Sequence, residues 1–373
     1  MTTIPQELIY AIVDFIDDTQ TLKTCALVGA AFREPSQRLL FRSLWLRERG
    51  NCSSVLNLLR DSPHLAEYFT YLAFSLPAVP SEVEEFHVVL DKLSNVRCCH
   101  IIARDNLLSW HNLPPEQGVS IVGFLKRQRI SELHIESLED LPTTILVQFL
   151  IMAPTISLIR PEAFAFPNPP NVVNVVASPE VLPRMTNIRK FSVDPICPPA
   201  KQLLAAFAHK LDHLRLELTD RAKLATTVTP GLSLPPLPRI RSVELVFDIP
   251  RRDTANFLAS ISSILTATRP HLVEICITYL LMLPPILDRP PVNFLGPATM
   301  TALQGLFVNS VASPLLRLRL HARRNQEEHF LKLATSLQQG MPVLHGQGKL
   351  IVDRHCRDDD LALERMADWA AKL

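Results

Sequence analysis

Cysteine and histidine side chains that could bind a metal or act as nucleophiles occur together at three places in the chain. Residues 98–100 read Cys-Cys-His, His209 and His213 are four residues apart, and His355 precedes Cys356. Zinc sites and cysteine nucleophiles both need further groups that converge on the same point. No such group lies near these residues in the sequence, and a strand over residues 98–100 would point adjacent side chains to opposite faces. We therefore predict no metal site, no cofactor and no catalytic residue.

Glycine-rich phosphate loops are also missing from the sequence. The nearest approach is Gly346-Gln347-Gly348-Lys349, but Val343 stands where the loop needs its first glycine and Leu350 where it needs a hydroxyl residue. The chain has 31 prolines against 10 glycines. We expect a protein that is not an enzyme, with one alternative left open: an α/β hydrolase or transferase whose site is assembled from scattered residues.

Composition bounds the class of protein and its partners. The 373 residues are 47% hydrophobic and carry a net charge of +1, from 38 basic and 37 acidic side chains. These values predict a globular protein without a field that would steer it to nucleic acid or membrane. The longest apolar run, residues 275–283, is about half a membrane span. With no secretory leader in view and seven cysteines, we expect a cytoplasmic and/or nuclear location.

The first 42 residues predict three short helices. Thr3 and Gln6 have capping-box spacing, and apolar residues then recur at helical intervals from Leu8 to Ile16. A second helix is predicted to follow around Leu22, and a third to open near Pro35. Of the 42 residues, 21 are apolar, which is more than so small a unit can bury. The excess is expected to face a partner or the following domain.

This segment resembles the F-box motif, in the version found in the large fungal F-box families. The matching residues are Ile4-Pro5-Gln6-Glu7-Leu8, Ile12, TLKTCALV at 21–28, Phe32 and Leu40-Phe41-Arg42. The resemblance implies a module that binds the Skp adaptor of a cullin–RING ubiquitin ligase. The residues it assigns to the adaptor surface are Ile4, Pro5, Leu8, Ile9, Ile12, Leu22, Leu27, Val28, Phe32, Leu40 and Phe41.

Three positions depart from the usual pattern of that family. Ile4 stands where leucine is usual and Phe32 where tryptophan is common, so both keep their apolar character. Gly29 stands where cysteine is common. Within Val28-Gly29-Ala30-Ala31 this glycine is expected to weaken helix propensity by roughly 1 kcal/mol relative to alanine.

Short strands are predicted throughout the remaining chain. They are expected at residues 43–46, 71–76 and 96–101, at the triplets Ile130/Leu133/Ile135, Ile188/Phe191/Val193, Leu211/Leu214/Leu216, Ile240/Val243/Leu245, Leu272/Ile275/Ile277 and Leu315/Leu318/Leu320, and at Leu350/Val352. Most steps between them are roughly 20–35 residues long, as in leucine-rich repeats. Helices are predicted to open near Ser81, Pro115, Arg252, Gln326 and Asp358.

The alternation of strand and helix predicts an α/β fold with parallel sheets. We expect an F-box domain at residues 1–45, followed at residues 46–373 by an irregular solenoid that resembles degenerate leucine-rich repeats. Such a repeat region would bind a protein target that the sequence does not identify. A barrel or a doubly wound sheet is the alternative architecture that periodicity leaves open.

Overall fold

The computed structural model describes residues 4–16, 18–46, 51–76, 80–103, 108–139, 141–159, 190–194, 204–205, 207–218, 234–248, 254–268, 270–280, 295–321 and 327–355. The chain divides into two compact units, one within Met1–Ala153 and one within Pro154–Arg357. Both combine helices with parallel strands, so the predicted α/β class is confirmed.

Three helices open the first unit: α1 (Gln6–Asp14), α2 (Thr19–Val28) and α3 (Ala30–Leu40). Helix α3 packs on both of the others. Asp18 caps α2, because its carboxylate accepts a hydrogen bond of 2.6 Å from the Thr21 backbone N–H. This local capping explains why the chain turns sharply between α1 and α2.

The rest of the first unit alternates strands and helices. Its elements are β1 (Ser43–Leu46), α4 (Asn51–Asp61), a 3₁₀ turn (Pro63–Glu67), β2 (Tyr71–Ser75), α5 (Pro80–Lys92), β3 (Cys98–Ile102), β4 (Leu108–Ser109), a 3₁₀ turn (Trp110–Asn112), α6 (Pro115–Arg127), β5 (Glu132–Glu136), β6 (Leu138–Glu139) and α7 (Thr143–Met152). Strands β1, β2, β3 and β5 pair in that order and in parallel, whereas β4 pairs with β6.

The second unit continues the same pattern. It contains β7 (Thr155–Ile159), β8 (Lys190–Asp194), β9 (His213–Leu218), β10 (Ser242–Asp248), α8 (Thr254–Ala267), β11 (Glu274–Leu280), α9 (Pro297–Val308), β12 (Leu315–His321), α10 (Glu327–Gly340), α11 (Pro342–Gly346) and β13 (Leu350–His355). Strands β7 to β13 pair in parallel, each with the next along the chain.

One face of each sheet is apolar and buried, whereas the other face mixes polar residues with buried ones such as Ala73, Val246 and Thr278. Leu72, Cys99 and Leu133 pair across β2, β3 and β5 and are fully buried, and Val243 and Ile275 do the same across β10 and β11. Helices lie beside one another in sequence order, α4 on α5 on α6 on α7, and α8 on α9 on α10. Apolar strand residues therefore face the helices, and we call the opposite side of each sheet its open face.

Strand order bears on the two alternative architectures. A doubly wound sheet needs a point where the order of strands reverses, and a barrel needs its first and last strands to pair. Among the described strands of either unit the order follows the sequence without reversal, and the first strand does not pair with the last. The described strands therefore form neither the switch point nor the closed ring at which enzymes of those folds place their sites.

Two strand predictions were wrong in detail. Strand β7 was not predicted, although Ala153, Ile156 and Leu158 follow the repeat spacing and are all buried; alanine at the first position gives a weak apolar signal. On β12 the register pairs Leu316 with Ile275, so Leu315 lies on the open face instead of in the core. The predicted last helix after Asp358 lies outside the described residues.

The predicted domain boundary at residue 45 falls inside a strand. Strand β1 begins at Ser43 and pairs with β2, so residues 43–45 belong to the sheet that follows the helices. The helices and that sheet lie in the same compact unit. No helix within the described ranges is long and apolar enough to cross a membrane.

Candidate protein-interaction site

Large apolar side chains are exposed on the first two N-terminal helices. We call this set the apolar strip, and its members are Ile4 (55% exposed), Leu8 (54%), Ile12 (50%), Phe15 (88%), Leu27 (83%) and Val28 (73%). The first four recur at intervals of three or four residues, which places them on one face of α1 and its ends. The last two lie at the end of α2.

The opposite face of α1 builds the core of the three helices. Ile9, Val13 and Leu22 are at most 4% exposed and pack together. The sequence prediction assigned Ile9 and Leu22 to the adaptor surface, but their side chains are not accessible to a partner. Because a helix places residues one position apart on different sides, Leu8 and Ile9 have separate roles.

The remaining three residues of the predicted adaptor surface, Phe32, Leu40 and Phe41, lie on α3 or directly after it. Phe32 and Leu40 are half-buried and pack against the helical core. Phe41 contacts Phe69 edge to face, with ring centroids 6.2 Å apart. Since Phe69 is buried just before β2, this pair attaches the helices to the first strands.

Of the eleven residues predicted to bind an adaptor, the structure exposes Ile4, Pro5, Leu8, Ile12, Leu27 and Val28. Phe15 is missing from the predicted set, yet it is the most exposed member of the strip. Its place in the helical spacing with Leu8 and Ile12 was the signal that could have identified it.

A hydrogen bond from Gln6 on α1 reaches a backbone carbonyl of α3 that lacks its usual N–H donor. Pro35 lies inside that helix, where it supplies no N–H to the carbonyl of Ala31 four residues earlier. The Gln6 side-chain amide donates to that same carbonyl, at 3.1 Å. Two predictions are corrected: α3 begins at Ala30 instead of near Pro35, and Gln6 bonds across to α3 without capping α1. The predicted capping partner, Thr3, lies outside the described residues.

Gly29 lies between two helices instead of inside one. Its backbone is extended (φ −171°, ψ 155°), and it is both the C-cap of α2 and the N-cap of α3. The predicted helix penalty therefore does not apply, because the residue is not helical. A Cβ at this position would meet no atom within 4 Å, so a larger residue also fits.

Besides the Phe41–Phe69 pair, Arg38 connects the helices to the segment that precedes β2. Its guanidinium lies 5.8 Å from the ring centroid of Tyr10 on α1 and 5.7 Å from that of Tyr68, and it forms an ion pair with Glu34 at 2.8 Å. Such cation–π contacts contribute about 0.5–1 kcal/mol each near the surface. Partial burial, followed by the Glu34 charge, raises the pKa of Tyr68. These contacts fix the orientation of the strip relative to the first sheet.

A groove of about 510 Å³ lies between α3 and the first strands. It is lined by Arg38, Leu39, Arg42, Glu67, Tyr68, Thr70, Ser94 and Asn95. Arg42 and Thr70 directly precede β1 and β2, so the groove lies at the amino ends of the parallel strands. Enzymes with such sheets place their sites at the carboxyl ends, and the groove therefore does not favour an enzyme.

The open face of the second sheet carries charged residues that pair with one another. Glu244 on β10 accepts a hydrogen bond from Thr278 (3.1 Å) and forms ion pairs with Arg319 (3.5 Å) and Arg215 (4.0 Å). Arg317 on β12 donates to Glu274 on β11 and to Asp353 on β13, and these two hydrogen bonds raise the Arg317 pKa. We call these residues the charged ladder.

The histidine and cysteine pairs noted in the sequence are placed apart or outside the described residues. His209 lies in a turn and His213 begins β9, and both are exposed. Cys356 is outside the described residues. Cys99 is fully buried, as predicted, whereas Cys98 and His100 lie on the open face of the first sheet.

Comparison with known proteins adds no guide to function. No model of a known protein family matches the chain, and no curated protein matches it either.

Proposed function

We propose that the chain is a substrate receptor of a Skp–cullin–F-box ubiquitin ligase. The apolar strip binds the Skp-type adaptor, and through it the cullin scaffold, while the open faces of an irregular leucine-rich-repeat-like region hold a protein target. The observation that carries this proposal is the strip itself: six large apolar side chains, each at least half exposed, on a segment whose sequence resembles an F-box.

Covering the strip supplies free energy of the same order as the cost of association. Fully burying one such side chain contributes about 1.5–3 kcal/mol, so covering the exposed parts of all six contributes on the order of 10 kcal/mol. Association costs an estimated 4–15 kcal/mol in lost freedom. Binding therefore requires that a partner groove enclose most of the strip, which fits an apolar adaptor surface better than a polar one.

In this role the chain performs no chemistry. The adaptor binds the N-terminal helices, and the repeat-like region holds the target. Target lysines then meet the ubiquitin-loaded enzyme at high effective concentration. The two attachments at Phe41–Phe69 and Arg38–Tyr68 support this mechanism, because they keep the adaptor-binding helices at a fixed orientation to the first sheet.

Calorimetric titration of a Skp-type adaptor tests the proposal. The double variant Leu8→Asp/Leu27→Asp buries two charges in the interface and should weaken binding at least 100-fold, or about 3 kcal/mol. Val119→Asp/Val311→Asp is the matched control, since Val119 and Val311 are each 73% exposed and lie outside the strip. The control should bind like the wild type.

Two results would contradict the proposal. One is equal adaptor binding by both double variants, and the other is no binding by the wild type under conditions where another F-box protein binds. If the adaptor binds but target half-life does not change when the strip is mutated, the chain is an F-box scaffold in a non-ligase assembly.

A further inference from the structure

The open face of the first sheet brings together side chains from two neighbouring strands. The parallel register pairs Cys98 on β3 with Glu132 on β5, and His100 with His134. Side chains two residues apart on a strand share a face, so Cys98, Glu132 and His134 project from the same side. The buried residues Cys99, Leu133 and Ile135 hold the two strands from the opposite side.

The donor atoms of these three residues are close enough to share one ion. Glu132 Oε2 lies 3.8 Å from Cys98 Sγ and 3.6 Å from His134 Nε2, and all three donor atoms lie within 4.8 Å of one another. Around tetrahedral zinc, bonds of about 2.0–2.3 Å place neighbouring donors roughly 3.3–3.6 Å apart. Small rotations of the side chains therefore suffice to bind the ion.

We propose that Cys98, Glu132 and His134 form a binding site for a divalent transition-metal ion of the Zn²⁺ type. A thiolate with an imidazole and a carboxylate selects zinc or its transition-metal neighbours over Ca²⁺ and Mg²⁺, which take oxygen ligands. Three protein ligands leave a fourth coordination position. Because Glu132 is exposed, that position faces solvent, where water or a side chain of a bound protein can occupy it.

A second pair of residues lies on the same face beside the histidine ligand. His100 Nε2 lies 3.2 Å from Glu136 Oε2, and the His100 ring lies 5.6 Å from the His134 ring at a tilt of 58°. This ring contact limits the rotation of the His134 imidazole next to the other two ligands.

Zinc titration of the untagged full-length chain, stripped of metal with a chelator, tests the site. The wild type should bind one more Zn²⁺ per chain than Cys98→Ser or His134→Ala, whose affinity should fall by about 100-fold or more at this site. Glu132→Gln should lose at least tenfold. Because Glu132 is exposed, this last variant keeps the test valid if either of the others fails to fold.

Cobalt substitution identifies the thiolate ligand directly. The Co²⁺-loaded wild type should show a thiolate-to-metal charge-transfer band that disappears in Cys98→Ser. The band should persist in Cys25→Ser, a control at a cysteine of similar partial exposure, and zinc affinity should persist in His345→Gln, a control at an exposed histidine.

Unchanged zinc stoichiometry and affinity in Cys98→Ser and Glu132→Gln would overturn the site, as would no binding by the wild type at tens of micromolar Zn²⁺. The proposal does not depend on the ubiquitin-ligase function, because metal binding is measured on the isolated chain. Failure of adaptor binding would therefore not contradict the metal site.

Discussion

The side chains of the apolar strip are exposed and those of the charged ladder are mostly half-buried, and the two sets differ in whether they have partners within the chain. In the strip, large apolar groups such as Phe15 and Leu27 face solvent while their neighbours Ile9 and Leu22 form the core. In the ladder, Glu244 and Arg317 bridge strands through ion pairs and hydrogen bonds. The strip gains free energy only when something covers it, whereas the ladder is already paired within the chain.

This difference suggests how the two surfaces would contribute to binding. Burying apolar area supplies affinity, and a partner of the strip needs only a matching groove. A partner of the ladder has to compete with or extend existing pairs, so charge arrangement supplies selectivity more than affinity. A permanent partner on the helices and a specific target on the open face are consistent with that division.

The largest effect on stability is expected where the strip meets the core. Leu22→Ala removes a fully buried side chain and should lower the free energy of unfolding by about 2–5 kcal/mol. Leu27→Ala, five residues along on the same helix, removes an 83% exposed side chain and should change it by less than about 0.5 kcal/mol. Denaturant titration measures both. Similar losses at the two positions would mean that Leu27 is buried in solution and that the strip is not exposed.

An intermediate effect is expected in the ladder. Arg317→Met keeps the apolar stem but leaves Glu274 and Asp353 without their shared cation, and should cost about 1–3 kcal/mol. The matched control is Arg127→Met, because Arg127 pairs with Asp91 at 2.6 Å but both side chains are more than half exposed; it should cost less than about 1 kcal/mol. If the two arginine variants lose the same stability, the ion pairs of the ladder contribute no more than a solvent-exposed ion pair does.

The smallest effect concerns the hydrogen bond between α1 and α3. Gln6→Ala removes the donor to the Ala31 carbonyl and should cost about 0.5–1 kcal/mol. In a Pro35→Ala background the same change should cost almost nothing, because the alanine introduced at position 35 has an N–H that can serve that carbonyl. A double-mutant cycle by chemical denaturation measures the coupling. Equal costs in both backgrounds would show that Gln6 does not compensate for the proline.

Much of the fold could be predicted from spacing alone. Apolar residues at the repeat positions, such as Leu214, Val243 and Ile275, predicted the strands that contain them. Acidic residues or a proline in the first turn predicted helices α5 and α6. Strand β7 was missed because Ala153 is too small to mark the repeat. The start of α3 was missed because Pro35 reads as a helix opening, and no local pattern shows that Gln6 compensates for it.

The sequence by itself determined the α/β class, the three N-terminal helices and the excess of apolar residues on them, because those features follow from composition and from the periods of helix and strand. Tertiary structure decided which apolar residues form the core and which are exposed, since that depends on how α1 packs against α3. It also decided the convergence of Cys98, Glu132 and His134. Residues more than thirty positions apart meet only through strand register, which is set by packing of the whole sheet and not by any local spacing.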